Sequence, residues 1–224
     1  MDVEAAIPET VLAQLEALDL DWSRPMVVVD VDEVIVGLAA HLGRFAEASG
    51  YRLVLTGYRL DGALKRRDGS DASPEEWRTL FRDFFARETV RQEVYPDAPA
   101  VLARLGRHAS VVVLTNVPAR AREARVANLA GHGIDAPLIA NTGPKGPALA
   151  WLATRCAGRV AFIDDSPSQI ASAAKDAPGV VRIHFVGDAE LRAMVDPLDA
   201  ASHSPESWRE IETTVADVLG LPGA

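Results

Sequence analysis

The stretch MVVVDVDEV, residues 26–34, decides how this chain folds. Four consecutive apolar residues, Met26 to Val29, read as a strand buried on both faces, as in a parallel sheet. Asp30 and Asp32 follow where that strand should end. In an open α/β sheet, groups just past the carboxyl ends of the strands gather at one edge, where ligands bind. Three further stretches fit the same plan. VVVLTN (111–116) sets Thr115 and Asn116 behind an apolar run, and AFIDDS (161–166) does so for Asp164 and Asp165. NTGPKG (141–146) sets Lys145 at a helix start. Four carboxylates, a hydroxyl, an amide and an ammonium would then share one cleft, a set suited to a divalent cation and a phosphoryl group.

Outward from these stretches, the pattern alternates between strand and helix. Helices are expected over 97–106, 118–130, 145–156 and 166–176, with strands over 110–114, 137–140, 160–163 and 180–186. Ser204 and Pro205 are expected to open a last helix through Val218. Such alternation implies βαβ units, hence a parallel sheet with helices on both faces. Ile7, Val11, Leu12, Leu15 and Leu18 fall at helical spacing before the first strand. A second helix is expected from Ala39 to Ser49, with Gly50 as its stop. Residues 51–72 read as loop or hairpin. Ser73, Pro74 and Glu76 then form a capping pattern ahead of the apolar stripe Trp77, Leu80, Phe81, Phe84 and Phe85. A crossover between neighbouring parallel strands needs only about a dozen residues. The excess between the first and second strands is therefore expected to be an inserted cap at 39–92.

Composition limits the rest. The chain has 224 residues, 48% apolar and 25% charged, with a net charge of −9, as expected for an ordinary globular protein. Nucleic-acid binding draws most of its affinity from cations that neutralise phosphates, so a nucleic-acid partner is not expected. No apolar run approaches the roughly 20 residues that span a bilayer, and MDVEAAIPET does not have the form of a secretory signal. Cys156 is the sole cysteine, which excludes a disulfide framework and a thiolate metal cluster. A cytoplasmic location is the expectation. The sequence carries no signal about oligomeric state.

Each motif taken alone also has a plainer reading. Asp30 and Asp32 at a strand end can cap a turn or helix. Asp164 and Asp165 can favour the helix opened by Ser166 and Pro167. Thr115 and Asn116 suit a turn, and Lys145 can be a solvated surface lysine. Convergence argues otherwise. Four acids in one cleft repel each other without a cation, so the grouping implies a metal or shifted carboxyl pKa values. A lysine at a helix N-terminus is unfavourable without an anionic partner.

Taken together, the stretches resemble the haloacid dehalogenase superfamily of phosphohydrolases. VVVDVDEV matches its first motif, with Val34 at the last position. VVVLTN matches the second at Thr115, Lys145 the third, and AFIDD the fourth, all in the family's order. The resemblance implies a three-layer, Rossmann-like α/β core at 25–38 and 93–200, with a small, mostly helical cap at 39–92. Residues 1–24 would add an N-terminal helix and linker, and 201–224 a C-terminal helix packed on the core. It implies Asp30 as nucleophile and Asp32 as general acid/base. Thr115, Asn116 and Lys145 would bind the phosphoryl group. Mg²⁺ would be held by the Asp30 side chain, the Asp32 main-chain carbonyl, Asp164, and Asp165 directly or through water. Tyr58, Arg59, Lys65, Arg66 and Arg67 are candidates for substrate contact because they lie in the irregular part of the cap.

The expected activity is a Mg²⁺-dependent phosphatase of a small phosphorylated metabolite, working through an aspartyl phosphate. A phosphoacceptor signalling module would also combine acids, a Thr and a Lys, but it places the acid pair first and has no large cap. A catalytically silent binding protein and a polynucleotide phosphatase are the remaining alternatives, the last supported only by Lys65, Arg66 and Arg67.

Overall fold

In a computed structural model, residues 4–58, 60 and 62–222 are described. Five parallel strands form the centre: β1 (Met26–Val29), β4 (Ser110–Thr115), β5 (Leu138–Ala140), β6 (Val160–Asp164) and β7 (Val181–His184), in the order β5-β4-β1-β6-β7. Every residue of β1 is buried. Alternate side chains serve opposite faces, as the two-residue period requires. Val27 and Val29 join one apolar cluster, and Met26 and Val28 the other.

Helices cover both faces, giving the three-layer α/β architecture expected. On one side, α1 (Glu9–Glu16), α6 (Gly146–Arg155) and α7 (Pro167–Asp176) share a cluster with Val28, Val112 and Phe162. On the other, α4 (Ala98–Gly106), α5 (Arg122–Gly131) and α9 (Trp208–Leu219) supply Val101, Leu129 and Ile211. A one-turn helix, α8 (Ala189–Arg192), follows β7. The N-terminal helix also finishes an edge of the sheet. The side chain of Gln14 accepts from the Ala140 N–H (2.9 Å) and donates to the Ala140 carbonyl (3.3 Å), occupying groups that an edge strand leaves unpaired.

Between β1 and α4 the chain forms α2 (Leu38–Ala48), an antiparallel hairpin of β2 (Tyr51–Leu53) and β3 (Leu64–Arg66), and α3 (Pro74–Arg87). This insertion is helical except for the hairpin. The α3 start is fixed as its sequence dictates: Ser73 Oγ accepts from the Glu76 N–H, and the Glu76 carboxylate accepts from the Ser73 N–H. Such a cap contributes about 1 kcal/mol. Leu80, Phe84 and Phe85 are buried, with Trp77 and Phe81 packed against them. Leu42, Ala46 and Leu64 share that cluster with Val29 and Leu129, so the insertion and one face of the sheet have a common apolar core. Gly50, at φ 89°, ends α2 in the left-handed conformation that only glycine adopts freely.

Two expectations need correction. The segment 118–130 is a short 3₁₀ turn, Ala119–Ala121, followed by α5. The last helix starts at Trp208, with Ser207 rather than Ser204 as its cap. The reason is local pairing. The N–H groups of Ser202 and His203 donate to the Arg182 carbonyl, and His203 bridges Ile183. This pairing holds the chain along the free edge of β7 until residue 203.

Candidate active site

The strand order places β4 and β6 on either side of β1, in register at Val29, Val113 and Ile163. Asp30, Thr115 and Asp164 therefore come together at the carboxyl edge of the sheet. With Asp165 and Lys145 they lie at or behind a cavity of about 280 Å³.

The centre is a buried lysine among acids. Lys145 Nζ lies 2.8 Å from Asp30 Oδ1 and donates to Asp164 Oδ2 at 2.6 Å. The ammonium is 1% exposed. Burial works against its charge, but Asp164 and Asp30 outweigh that and raise its pKa above the ordinary value. Lys145 reaches this position because α6 begins directly after it. Its N–H donates to Gln169 Oε1 on α7 at 2.8 Å. A Cβ at Gly146 would lie 2.4 Å from the Ser172 carbonyl, so only glycine lets α6 and α7 approach so closely here. Asp164 also plays its plainer part, accepting from the Ser166 N–H at 2.9 Å ahead of α7.

Asp30, Asp164 and Asp165 can each offer one carboxylate oxygen, all within 4.8 Å of one another, and all three are buried. Burial pushes Asp164 up to about 7, with Lys145 opposing the shift and Asp30 adding to it. Burial, then the charges of Asp30 and Glu33, raise Asp165 well above the carboxylate range. Hard oxygen donors in excess of the single ammonium fit a divalent cation such as Mg²⁺. The Asp32 carboxylate is not part of this group.

Thr115 Oγ1 is buried and has no hydrogen-bond partner among the described residues, yet Thr115 lines the cavity. A buried hydroxyl without a partner is unfavourable by about 1–3 kcal/mol, so this group is ready for an acceptor from a ligand. Asn116 differs. It lines the cavity, but its amide donates to the Gly143 carbonyl (2.9 Å) and its Oδ1 accepts from Asn141 (2.8 Å). The side chain braces two loops at the mouth.

Asp32 also lines the cavity but has a different partner. Its Oδ1 accepts from Arg125 Nη2 at 2.8 Å. Burial pushes the Asp32 carboxyl up, and the Arg125 charge opposes that rise. Arg125 had no place among the sequence candidates, though a signal existed. Arg125, Asn128 and Leu129 share the buried stripe of α5, and two polar residues there call for partners.

Glu33, between Asp32 and Val34, was also missed. It has φ 59°, a conformation non-glycine residues rarely adopt. Its bonds hold it there. Its N–H donates to the Val36 carbonyl, its carbonyl accepts from the Gly187 N–H, and its carboxylate accepts from the Ala39 N–H (2.5 Å) and Tyr95 Oη (2.9 Å). Burial pushes its pKa up to about 7, against those two bonds.

The proposed substrate contacts divide. Tyr58 lines the cavity, with Leu60, Leu38 and Leu191. Arg59 lies outside the described residues. Lys65, Arg66 and Arg67 do not line the cavity. They occupy the hairpin, where acids claim two of them. Lys65 pairs with Asp71, and Arg66 forms a two-pronged pair with Glu76, its Nη2 at 2.5 Å. Arg67 flanks a separate surface depression with Asp68.

The sequence matches no protein-family model, and no curated protein matches it. Solved structures do match. A haloacid dehalogenase family hydrolase from Deinococcus radiodurans R1, with bound phosphate and sodium, superposes with a TM-score of 0.60 at 17% identity, covering 91% of this chain and 100% of that one. A haloacid dehalogenase-like family hydrolase from Streptococcus pneumoniae gives 0.56 at 12% identity, covering 87% and 99%. The L-2-haloacid dehalogenase from Xanthobacter autotrophicus gives 0.54 at 14% identity, covering 85% and 97%. The chain has the haloacid dehalogenase-like fold.

Proposed function

We propose that this chain, built on the haloacid dehalogenase-like fold, is a Mg²⁺-dependent phosphatase of a small phosphorylated metabolite. The observation that carries this reading is the placing of two carboxylates of one motif in different settings around one cavity. Asp30 is set against a buried ammonium and two further acids, while Asp32 is held apart by a guanidinium. Two carboxylates with separate environments suit separate roles.

In this reading Asp30 attacks phosphorus, the bond to the leaving oxygen breaks, and an aspartyl phosphate forms. Asp32, as the acid, gives its proton to the departing oxygen. As the base it then takes a proton from the water that attacks the phosphoryl group, which frees Asp30 and releases phosphate. Thr115 Oγ1 donates to a phosphoryl oxygen, and Lys145 pairs with Asp30 and offsets the charge that gathers on the phosphate. A divalent cation held by Asp30, Asp164, Asp165 and the Asp32 main-chain carbonyl supplies further charge neutralisation when bound.

Dehalogenases share the fold but attack carbon and need no metal. Asp32 and the acid group Asp30, Asp164 and Asp165 favour phosphorus. Pairing of Lys65 and Arg66 with acids removes the support that the basic run gave to a polynucleotide substrate. A cytoplasmic setting belongs to the same proposal. Among the described residues no helix is long and apolar enough to cross a membrane.

The test is a panel of phosphorylated metabolites and p-nitrophenyl phosphate, assayed with Mg²⁺ and with EDTA. Turnover that requires the metal supports the reading. Absence of phosphate release across the panel, or release undiminished in EDTA, overturns it.

A further inference from the structure

Arg125 is a fully buried arginine on α5, and each end of its guanidinium fork is occupied. Nη2 donates to Asp32 Oδ1 (2.8 Å) and to Gln92 Oε1 (2.6 Å), and Nη1 donates to Asn128 Oδ1 (3.1 Å). Asn128 in turn donates to the carbonyls of Gln92 (2.7 Å) and Val90 (3.3 Å). Gln92 is itself 0% exposed. Water cannot readily reach the contacts that Arg125, Asn128 and Gln92 make with one another.

The position matters as much as the chemistry. Residues 31–38 lead out of β1 into the insertion, and residues 88–95 bring it back. The two crossings are joined by a Val36–Val94 bridge, by the Tyr95 N–H donating to the Ile35 carbonyl, and by the bond from Tyr95 Oη to Glu33. Arg125 adds the only side-chain tie, among the described residues, from the return crossing to Asp32 itself. One nitrogen holds both.

Stability alone is a weak reason for this arrangement. Replacing a buried ion pair by apolar side chains of similar volume is often neutral or stabilising. The α5 stripe, which already holds Leu129, could accept one. What the fork supplies instead is orientation, since a planar guanidinium fixes its acceptors in direction as well as distance. It holds Asp32, which lines the cavity, by Oδ1, and Oδ2 has no hydrogen bond among the described residues.

We infer that Arg125 is a positioning residue for Asp32, and that through Gln92 it ties the orientation of that carboxylate to the point where the insertion rejoins the core. The inference rests on the phosphatase reading above, because it gives Asp32 the proton transfers.

The experiment is a double-mutant cycle on p-nitrophenyl phosphate and an alkyl phosphate with Mg²⁺, using wild type, Arg125→Lys, Asp32→Asn and the double variant. Lysine keeps the charge but not the fork. Arg125→Lys should lower kcat about tenfold or more on the alkyl phosphate, since misplacing a reacting group by about 1 Å costs up to 10²-fold. KM should stay within about twofold. Arg125→Lys should also slow turnover of p-nitrophenyl phosphate, because Asp32 still acts as base in the hydrolysis step, and on that same substrate the change should have almost no effect in the Asp32→Asn background, as residues acting as a unit are non-additive. Gln92→Met provides a second cycle that leaves the Arg125–Asp32 pair in place, and should show a smaller loss that also vanishes with Asp32→Asn. Equal losses in both backgrounds, or a loss confined to KM, would overturn the inference while leaving the phosphatase reading intact. A wild type with no phosphatase activity would overturn both.

Discussion

Lys145 Nζ lies 2.8 Å from Asp30 Oδ1, and both residues are buried. An ammonium this deep is tolerated only because acids surround it. The converse also holds, since Asp30 and Asp164 are both paired with it. Lys145→Met should therefore lower kcat by roughly 10²- to 10³-fold, the usual scale for loss of one transition-state charge partner. Steady-state kinetics on p-nitrophenyl phosphate would show it. A loss under fivefold would mean that Lys145 only balances charge in the resting protein.

Asp165 gives a test that needs no turnover. Its pKa is raised well above the carboxylate range by burial and by Asp30 and Glu33. Asp165→Asn removes that repulsion, so in EDTA the variant should melt higher than wild type. Wild type should gain stability from Mg²⁺, by about 2.7 kcal/mol at 100 times Kd, and the variant should gain much less. Thermal melts with and without Mg²⁺ check both. An identical Mg²⁺ shift in the two proteins would remove Asp165 from the metal site.

The four site stretches were legible because each sits against a strand or helix boundary that short-range pattern reveals. Continuous apolar runs of four residues marked β1, β4 and β6, and the parallel order brought their ends together. Lys145 was legible from the misfit of a cation at a helix start. Arg125 was not, since 93 residues separate it from Asp32 and no local pattern shows what lies opposite a buried polar stripe. Nor were the partners of the basic residues in the expected loop or hairpin. Lys65, Arg66 and Arg67 read as a free basic run because their acidic partners, Asp71 and Glu76, only face them once β2 and β3 pair and α3 docks. Glu33 was hidden by its backbone, as a φ of 59° has no signature in a glutamate.

Glu33 carries the pH prediction. Its pKa is pushed up to about 7 in the folded protein from an ordinary value of 4.5, chiefly by burial. The folded state therefore binds its proton more tightly than the unfolded chain does. This contribution favours folding below the unfolded value and is lost as pH rises towards about 7. Glu33→Gln, which stays neutral, should match wild type near pH 4.5 and be more stable than wild type at pH 8. Denaturant melts in EDTA at both values give the comparison. A constant difference across the range would show that Glu33 does not titrate there.

The last prediction separates two parts of the insertion. Tyr58 lines the cavity, while Arg66 is tied to Glu76 on the hairpin. Changing Lys65, Arg66 and Arg67 together to Ala should leave the ratio of kcat/KM between a preferred metabolite and p-nitrophenyl phosphate unchanged. It should lower the melting temperature slightly through loss of the Arg66–Glu76 pair. Tyr58→Ala should do the reverse. A ring beside Leu60 and Leu191 meets the leaving group rather than the phosphoryl group, so the metabolite should lose about tenfold in kcat/KM. A pocket contact of one to three kcal/mol gives that scale. The aryl phosphate, bound mainly by Asp30, Thr115 and Lys145, should lose much less. If the triple variant changes the substrate ratio and Tyr58→Ala does not, the hairpin and not the cavity wall selects the substrate.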